Sequence, residues 1–114
     1  MPHFILHCSA NILQIKPEEE ILQIVHDTAF ASGLFMETDI KVRIQGYTNF
    51  TVGGAKKDFI HVFAYIMEGR ITAQKADLSR RIVTKLKSVF PDAPVLSMNV
   101  MEFERDTYFN RDMV

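Results

Sequence analysis

The feature that most constrains this chain is a pattern that occurs twice. Residues 2–47 and residues 58–104 each read as strand, helix, strand. In the first half, Phe4 and Leu6 fall on one face and His3, Ile5 and His7 on the other, the period-two signature of a strand. Pro17 followed by Glu18, Glu19 and Glu20 then suits a helix first turn, because proline lacks only an N–H that would be unbonded there and acids favour the positive end of the helix dipole. Ile21, Val25, Thr28 and Ser32, flanked by Leu22 and Ala29, trace the inner stripe of that helix, and Gly33 supplies its stop. Residues 40–47 alternate again, with Ile40, Val42 and Ile44 opposite Lys41, Arg43 and Gln45.

The second half repeats the order after a turn-bearing connection that contains Gly53-Gly54. Residues 58–67 are apolar on both faces, which predicts a strand that is central or lies at a subunit interface. Thr72 is the expected N-cap of a helix with Leu78, Ile82, Leu86 and Val89 at helical spacing, ended by Pro91 and Pro94. Residues 95–104 alternate once more, with Leu96, Met98 and Val100 on one side. The tail, with Tyr108 and Phe109, is expected to add a short edge strand or to pack on a neighbouring subunit.

Strand-helix-strand crossovers are right-handed in about 98% of cases, so each half gives a parallel pair. Both helices can then cover one face of a four-stranded mixed sheet, an α+β fold in which residues 1–114 form a single domain of two pseudo-repeat halves. The other face keeps part of the apolar 58–67 strand bare. Homo-oligomerisation is the expected remedy.

Charge narrows the function classes. Thirteen Lys and Arg oppose 14 Asp and Glu, a formal charge of −1, so no global field favours nucleic acid or an anionic membrane. Any anionic ligand must be held by local cations. The longest nearly uncharged run, residues 59–67, falls far short of the roughly 20 residues a bilayer-spanning helix needs. The single Cys8 cannot close an internal disulfide, and the start shows no leader pattern, so a cytoplasmic setting is expected.

Proline at the second position carries the chemistry first. Initiator methionine is generally removed before a small penultimate residue, which would leave Pro2 as a secondary amine at the terminus. An α-amine titrates near about 7.7–8.0, and burial or nearby cations disfavour its protonated form, so such an amine serves as a base. Met-Pro is equally an ordinary start, so other features must decide. Arg70, after Glu68-Gly69 and before a helix, can clamp a carboxylate bidentately or be a surface arginine in a turn. Lys41 and Arg43 share a strand face, either as a second anion site or as a solvated one. His3 and His7 lie about 13 Å apart on a strand at about 3.3 Å per residue, too far for one metal, so no metal site is expected. His26, His61 and Cys8 read as packed or surface residues, and neither a phosphate-cradling loop nor a nucleophile elbow is present.

Taken together, Pro2-His3-Phe4-Ile5, Cys8-Ser9, Asn11-Ile12, Gly33-Leu34-Phe35, Ile40-Lys41-Val42-Arg43 and Gly69-Arg70 resemble 5-carboxymethyl-2-hydroxymuconate delta-isomerase, of the tautomerase superfamily. The resemblance runs from Pro2 to about Glu104. It implies a duplicated β-α-β fold assembled as a homotrimer, an isomerase with no metal or organic cofactor, and a small carboxylate as substrate. It also implies that Pro2 takes a proton from the 2-hydroxyl of a conjugated enol acid and returns it to carbon, as in aromatic compound degradation. The family's arginine after the glycine falls on Arg70. Its other arginine falls on Lys41, with Arg43 matching a further one. Lysine is a point charge and cannot reproduce a planar clamp, so the substrate is expected to differ from the family's.

Three other functions fit parts of the chain. Glu68-Gly69-Arg70 with Arg81-Ile82-Val83 is similar to haloacrylate dehalogenases, but Met67 stands where those carry another arginine. A binding protein of the macrophage migration inhibitory factor type shares the size and the Met-Pro start. A homologue without turnover is the third, and Lys41 is its best support.

Overall fold

A computed structural model describes residues 1–114. Its elements run β1 (His3–Ser9), α1 (Ile12–Ile15), α2 (Glu18–Ala31), β2 (Lys41–Tyr47), β3 (Phe59–Met67), α3 (Thr72–Val89) and β4 (Val95–Phe103), with short 3-10 turns at Glu37–Asp39, Arg105–Thr107 and Arg111–Met113. The four strands form one mixed sheet in the order β2-β1-β3-β4. β1 pairs parallel with β2, β3 pairs parallel with β4, and the two halves meet antiparallel along β1 and β3. The expected four-stranded mixed sheet with the two long helices on one face is what forms, and β3 is central.

The alternation decides which side is covered. Phe4, Leu6 and Cys8 of β1 and Ile60, Val62, Ala64 and Ile66 of β3 are fully buried. All but Ile66 belong to one cluster with Ile21, Val25 and Ala29 of α2 and Leu78, Ile82 and Leu86 of α3. The opposite parity, which includes His3, Ile5, His7, His61, Phe63 and Tyr65, is only half-buried. Register lines these residues in rows across the sheet: Lys41, His3, Tyr65 and Met101 in one, Arg43, Ile5, Phe63 and Asn99 in the next. His61 is held between β4 side chains, with Nδ1 2.7 Å from Ser97 Oγ and Nε2 2.6 Å from Asn99 Oδ1.

Several local expectations are corrected. The helical stripe of α2 buries Ile21, Val25 and Ala29. Thr28 is half-buried and turns its hydroxyl back to the Ile24 carbonyl, and Ser32 lies past the last turn as the C-cap. Pro17 occupies the N-cap of α2 with all three glutamates in its first turn. For α3 the N-cap is Ile71, whose N–H donates to Gln74 Oε1 at 3.0 Å, and Thr72 begins the helix. A side-chain amide three residues on thus reaches back to the N-cap N–H, the reciprocal half of a capping box, and the Thr72 hydroxyl does not cap the helix. The one-turn α1, which sinks Ile12 into the core, has no counterpart in the sequence reading. The tail adds no edge strand: it forms 3-10 turns and lays Tyr108 against Phe103 with ring centroids 5.5 Å apart.

The connection between β2 and β3 turns at Gly53 and Gly54, whose φ angles are +58° and +82°. Two successive positive φ angles define a primed turn, which only glycine adopts freely, and Val52 and Ala55 bridge across it. At the mouth of β3, Asp58 accepts from Ser9 Oγ at 2.8 Å and Asn11 Nδ2 at 2.9 Å, tying the far end of β1 to the second half.

Phe4 joins core and terminus, being fully buried and edge-on to Phe35 at 6.0 Å. Phe4→Ala is expected to cost about 3–5 kcal/mol through lost transfer energy and the cavity left behind. An unfolding free energy, from denaturant titration, lowered by less than a quarter of that would contradict this packing.

Candidate active site

β1 begins one residue after Pro2, so the sheet carries the N-terminus to one end of its central strand. Pro2 is buried, and its carbonyl accepts from the Lys41 N–H at 3.1 Å, the last rung of the β1–β2 ladder. Around it opens a recess of about 160 Å³. Met1 and Pro2 form one wall, Leu34, Phe35 and Met36 of the segment after α2 a second, and Asp39, Met67 and Arg70 the remainder. Gly33 follows α2 with φ +76°, and this left-handed step turns the chain back toward Pro2.

Arg70 reaches the recess from the turn between β3 and α3. Its Nη2 donates to the Leu34 carbonyl at 2.7 Å and its Nη1 to the Met67 carbonyl at 3.4 Å, while the guanidinium lies over the Phe35 ring at 5.3 Å. Two of five N–H donors are thereby engaged. Three remain to bind an anion, on a fork already held in place. Gly69 permits the approach with φ +117°, a conformation closed to side-chain-bearing residues.

Lys41 stands at the rim. Its Nζ donates to the Asp39 carbonyl at 2.9 Å, the same oxygen that accepts from the terminal nitrogen of Met1 at 3.1 Å. The Asp39 carboxylate lies 3.7 Å from that nitrogen. Burial, with Lys41 beside it, holds the terminal amine below its ordinary value of 8.0, and Asp39 draws it part of the way back. With Met1 attached, the Pro2 nitrogen is an amide and has no basic lone pair.

Arg43 is not brought into the recess. It lies on the open sheet face, Nη1 3.0 Å from His3 Nδ1, along a groove formed with Ile5, Tyr65, Phe103 and Tyr108. Burial and then the neighbouring Arg43 and Lys41 hold His3 below its usual value, so its ring is a neutral acceptor for the guanidinium. Pro2 and Arg70 therefore share one recess, Lys41 borders it, and Arg43 faces elsewhere. Asp39 and the Leu34 carbonyl belong to the site without having been singled out in the sequence; a carboxylate two residues before Lys41 was the available signal.

Other groups offer less. Burial, reinforced by Glu18 and Asp58, pushes the Cys8 thiol up to about 11, so it is not a nucleophile near neutral pH. No three His, Cys, Asp or Glu side chains converge as a metal would require. Larger openings of about 430 Å³ lie beside Tyr47, Phe50 and Lys56 and between α2 and α3, but neither is lined by Pro2.

A mixed sheet of two β-α-β halves, opened by proline on its central strand, is the fold of the tautomerase superfamily. The chain belongs to the 5-carboxymethyl-2-hydroxymuconate isomerase family, whose sequence model matches residues 2–114, and it is by family an isomerase. Among solved structures, it is similar to a 5-carboxymethyl-2-hydroxymuconate isomerase from Deinococcus radiodurans R1, with TM-score 0.83 and 19% identity over 96% of this chain and 88% of that one. It is also similar to a fused 4-OT described as a wild-type symmetric trimer, with TM-score 0.81 and 10% identity over 98% and 95% of the two chains. A macrophage migration inhibitory factor-like protein from Entamoeba histolytica superposes with TM-score 0.73 and 16% identity over 96% and 94%. At these identities the likeness is one of fold. No curated protein matches the sequence.

Replacing Arg70 by lysine keeps the charge but removes the planar stack on Phe35 and the fork that reaches two carbonyls. Arg70→Lys is expected to lower stability by about 1 kcal/mol. Equal thermal midpoints for the two proteins would show that the fork is not held as described.

Proposed function

We propose that this protein is a cofactor-independent tautomerase that shifts a proton within a small unsaturated 2-hydroxy acid similar to 5-carboxymethyl-2-hydroxymuconate, with Pro2 as base once Met1 has been removed. The observation that carries this reading is the shared recess, in which the start of β1 and the pinned guanidinium of Arg70 meet. The neutral amine of Pro2 takes the proton of the enol hydroxyl as its oxygen becomes a carbonyl. The ammonium then returns that proton to a carbon of the conjugated chain, so no proton is gained or lost overall. Arg70 holds the carboxylate and stabilises the charge that grows on the adjoining oxygen during transfer.

Lys41 and Arg43 are the remaining substrate-binding cations of this reading. Lys41 is at the rim of the recess and supplies a point charge rather than a second fork. Arg43 lies on the bare sheet face, so its contribution is to a pocket shared with a neighbouring chain. That face carries Ile5, Phe63, Tyr65 and Phe103 only half-buried, which supports a homotrimer as the working form. The fused 4-OT similar in fold is described as a symmetric trimer, and this supports the same assembly.

Two measurements test these readings. With Met1 confirmed absent by intact mass, Pro2→Ala is expected to slow ketonisation of 2-hydroxymuconate or phenylenolpyruvate by about 10²–10⁴-fold, the usual worth of a positioned general base. Undiminished turnover in that variant would remove Pro2 from the mechanism. Light scattering is expected to return three times the 13.1-kDa chain mass, and a monomeric mass at working concentration would overturn the shared pocket.

A further inference from the structure

Asp39 is the one acidic side chain among the residues lining the recess. It sits in the Glu37–Asp39 turn that delivers the chain into β2, and the N–H of Ile40 closes that turn on the Glu37 carbonyl. Its main-chain oxygen accepts from both the terminal nitrogen and Lys41 Nζ, at 3.1 and 2.9 Å. Two cationic groups that repel one another are thus gathered on a single carbonyl, with the carboxylate 3.7 Å from the terminal nitrogen. Removing Met1 shifts the amine along the chain by one residue, at most about 3.6 Å, to Pro2, which lines the same recess as Asp39.

We propose that Asp39 is a positioning residue of this site, which holds the terminal amine and Lys41 together at the recess and whose carboxylate opposes the charge of Lys41 on that amine. The inference rests on the reading of Pro2 as the working base. Without the Asp39 carboxylate, Lys41 would act on the amine unopposed, while the main-chain oxygen of residue 39 would go on accepting from both groups. Without Lys41, Asp39 would hold the amine protonated further into the alkaline range. The two side chains set the amine from opposite directions, and substrate need not be present for either to act.

The other charged groups around the amine are His3 on β1, Arg43 on β2 and Arg70 after β3. Burial, Arg43 and Lys41 hold His3 below its usual value, and the arginines keep their charge throughout. The two variants are therefore compared for the sign of the shift, which Asp39 and Lys41 set in opposite directions.

The test uses Met1-free protein carrying ¹⁵N-labelled proline, with the Pro2 nitrogen titrated by NMR in the absence of substrate. Asp39→Asn is expected to lower the midpoint and Lys41→Met to raise it, each by about half a pH unit or more, the scale set by unit charges within several ångströms at a partly exposed site. Asp39→Glu is expected to restore the midpoint, and the ascending limb of the kcat/KM profile should move with it. A midpoint that is unchanged in Asp39→Asn, or that moves the same way in both variants, would overturn the proposal. The titration reads the amine whether or not it is the catalytic base, so retained turnover in Pro2→Ala would count against the proposed function and leave the electrostatic result standing or falling by itself.

Discussion

β1 is hydrogen-bonded along both edges, to β2 in parallel and to β3 antiparallel, and the placement of every group at the recess follows from those two ladders. Register sets His3 opposite both Lys41 and Tyr65, so the residue before His3 must lie beside the residues that flank the start of β2 and the end of β3. Pro2, Asp39, Met67 and Arg70 come from three separate stretches of chain. A slip of one residue in either ladder would turn the buried parity of β1 outward and carry the terminus away from Arg70. Because Phe4, Leu6 and Cys8 are buried under the helices, such a slip is opposed by the whole core.

The sheet is covered on one side only, and this asymmetry separates two kinds of work. Under the helices, aliphatic residues from both halves interdigitate and supply stability. On the bare side, His7 lies between Tyr47 and Phe63, His61 reaches Ser97 and Asn99, and Tyr65 stacks on Phe103. His7 and His61 find polar partners here, in Tyr47 and in Ser97 and Asn99, while much aromatic surface stays half-exposed. Such a surface can meet another subunit at little desolvation cost, since few of its polar groups are left seeking water. The recess lies at the end of the sheet, where the two regimes meet.

The resemblance to an isomerase was legible because its residues sit at boundaries the fold must have: the start of the central strand, the end of the first long helix, and the turn before the second. The glycines at two of these boundaries, Gly33 and Gly69, adopt positive φ, so local backbone need and site geometry select the same positions. Where local signals competed, the reading slipped. Thr72 is a good capping residue, yet Gln74 reaches back to Ile71 and the helix starts a residue earlier than the hydroxyl implied. The aromatic tail follows β4, whose outer edge is open, yet it folds into 3-10 turns and lays Tyr108 against Phe103 instead of pairing there.

Periodicity by itself determined the strands, the long helices, the inner face of β1, β2 and β4 and the number of layers, because those depend on which side of a backbone each apolar side chain must leave. It also determined that Lys41 and Arg43 share a face. Only the tertiary structure decided that they part company, Lys41 drawn to the Asp39 carbonyl at the rim and Arg43 to His3 on the open sheet. It likewise decided that Arg70 is pinned by Leu34 and Phe35, 36 and 35 residues earlier. The reason is the same in each case: alternation fixes the direction in which a side chain leaves the backbone, whereas its partner depends on which distant segments the ladders bring alongside.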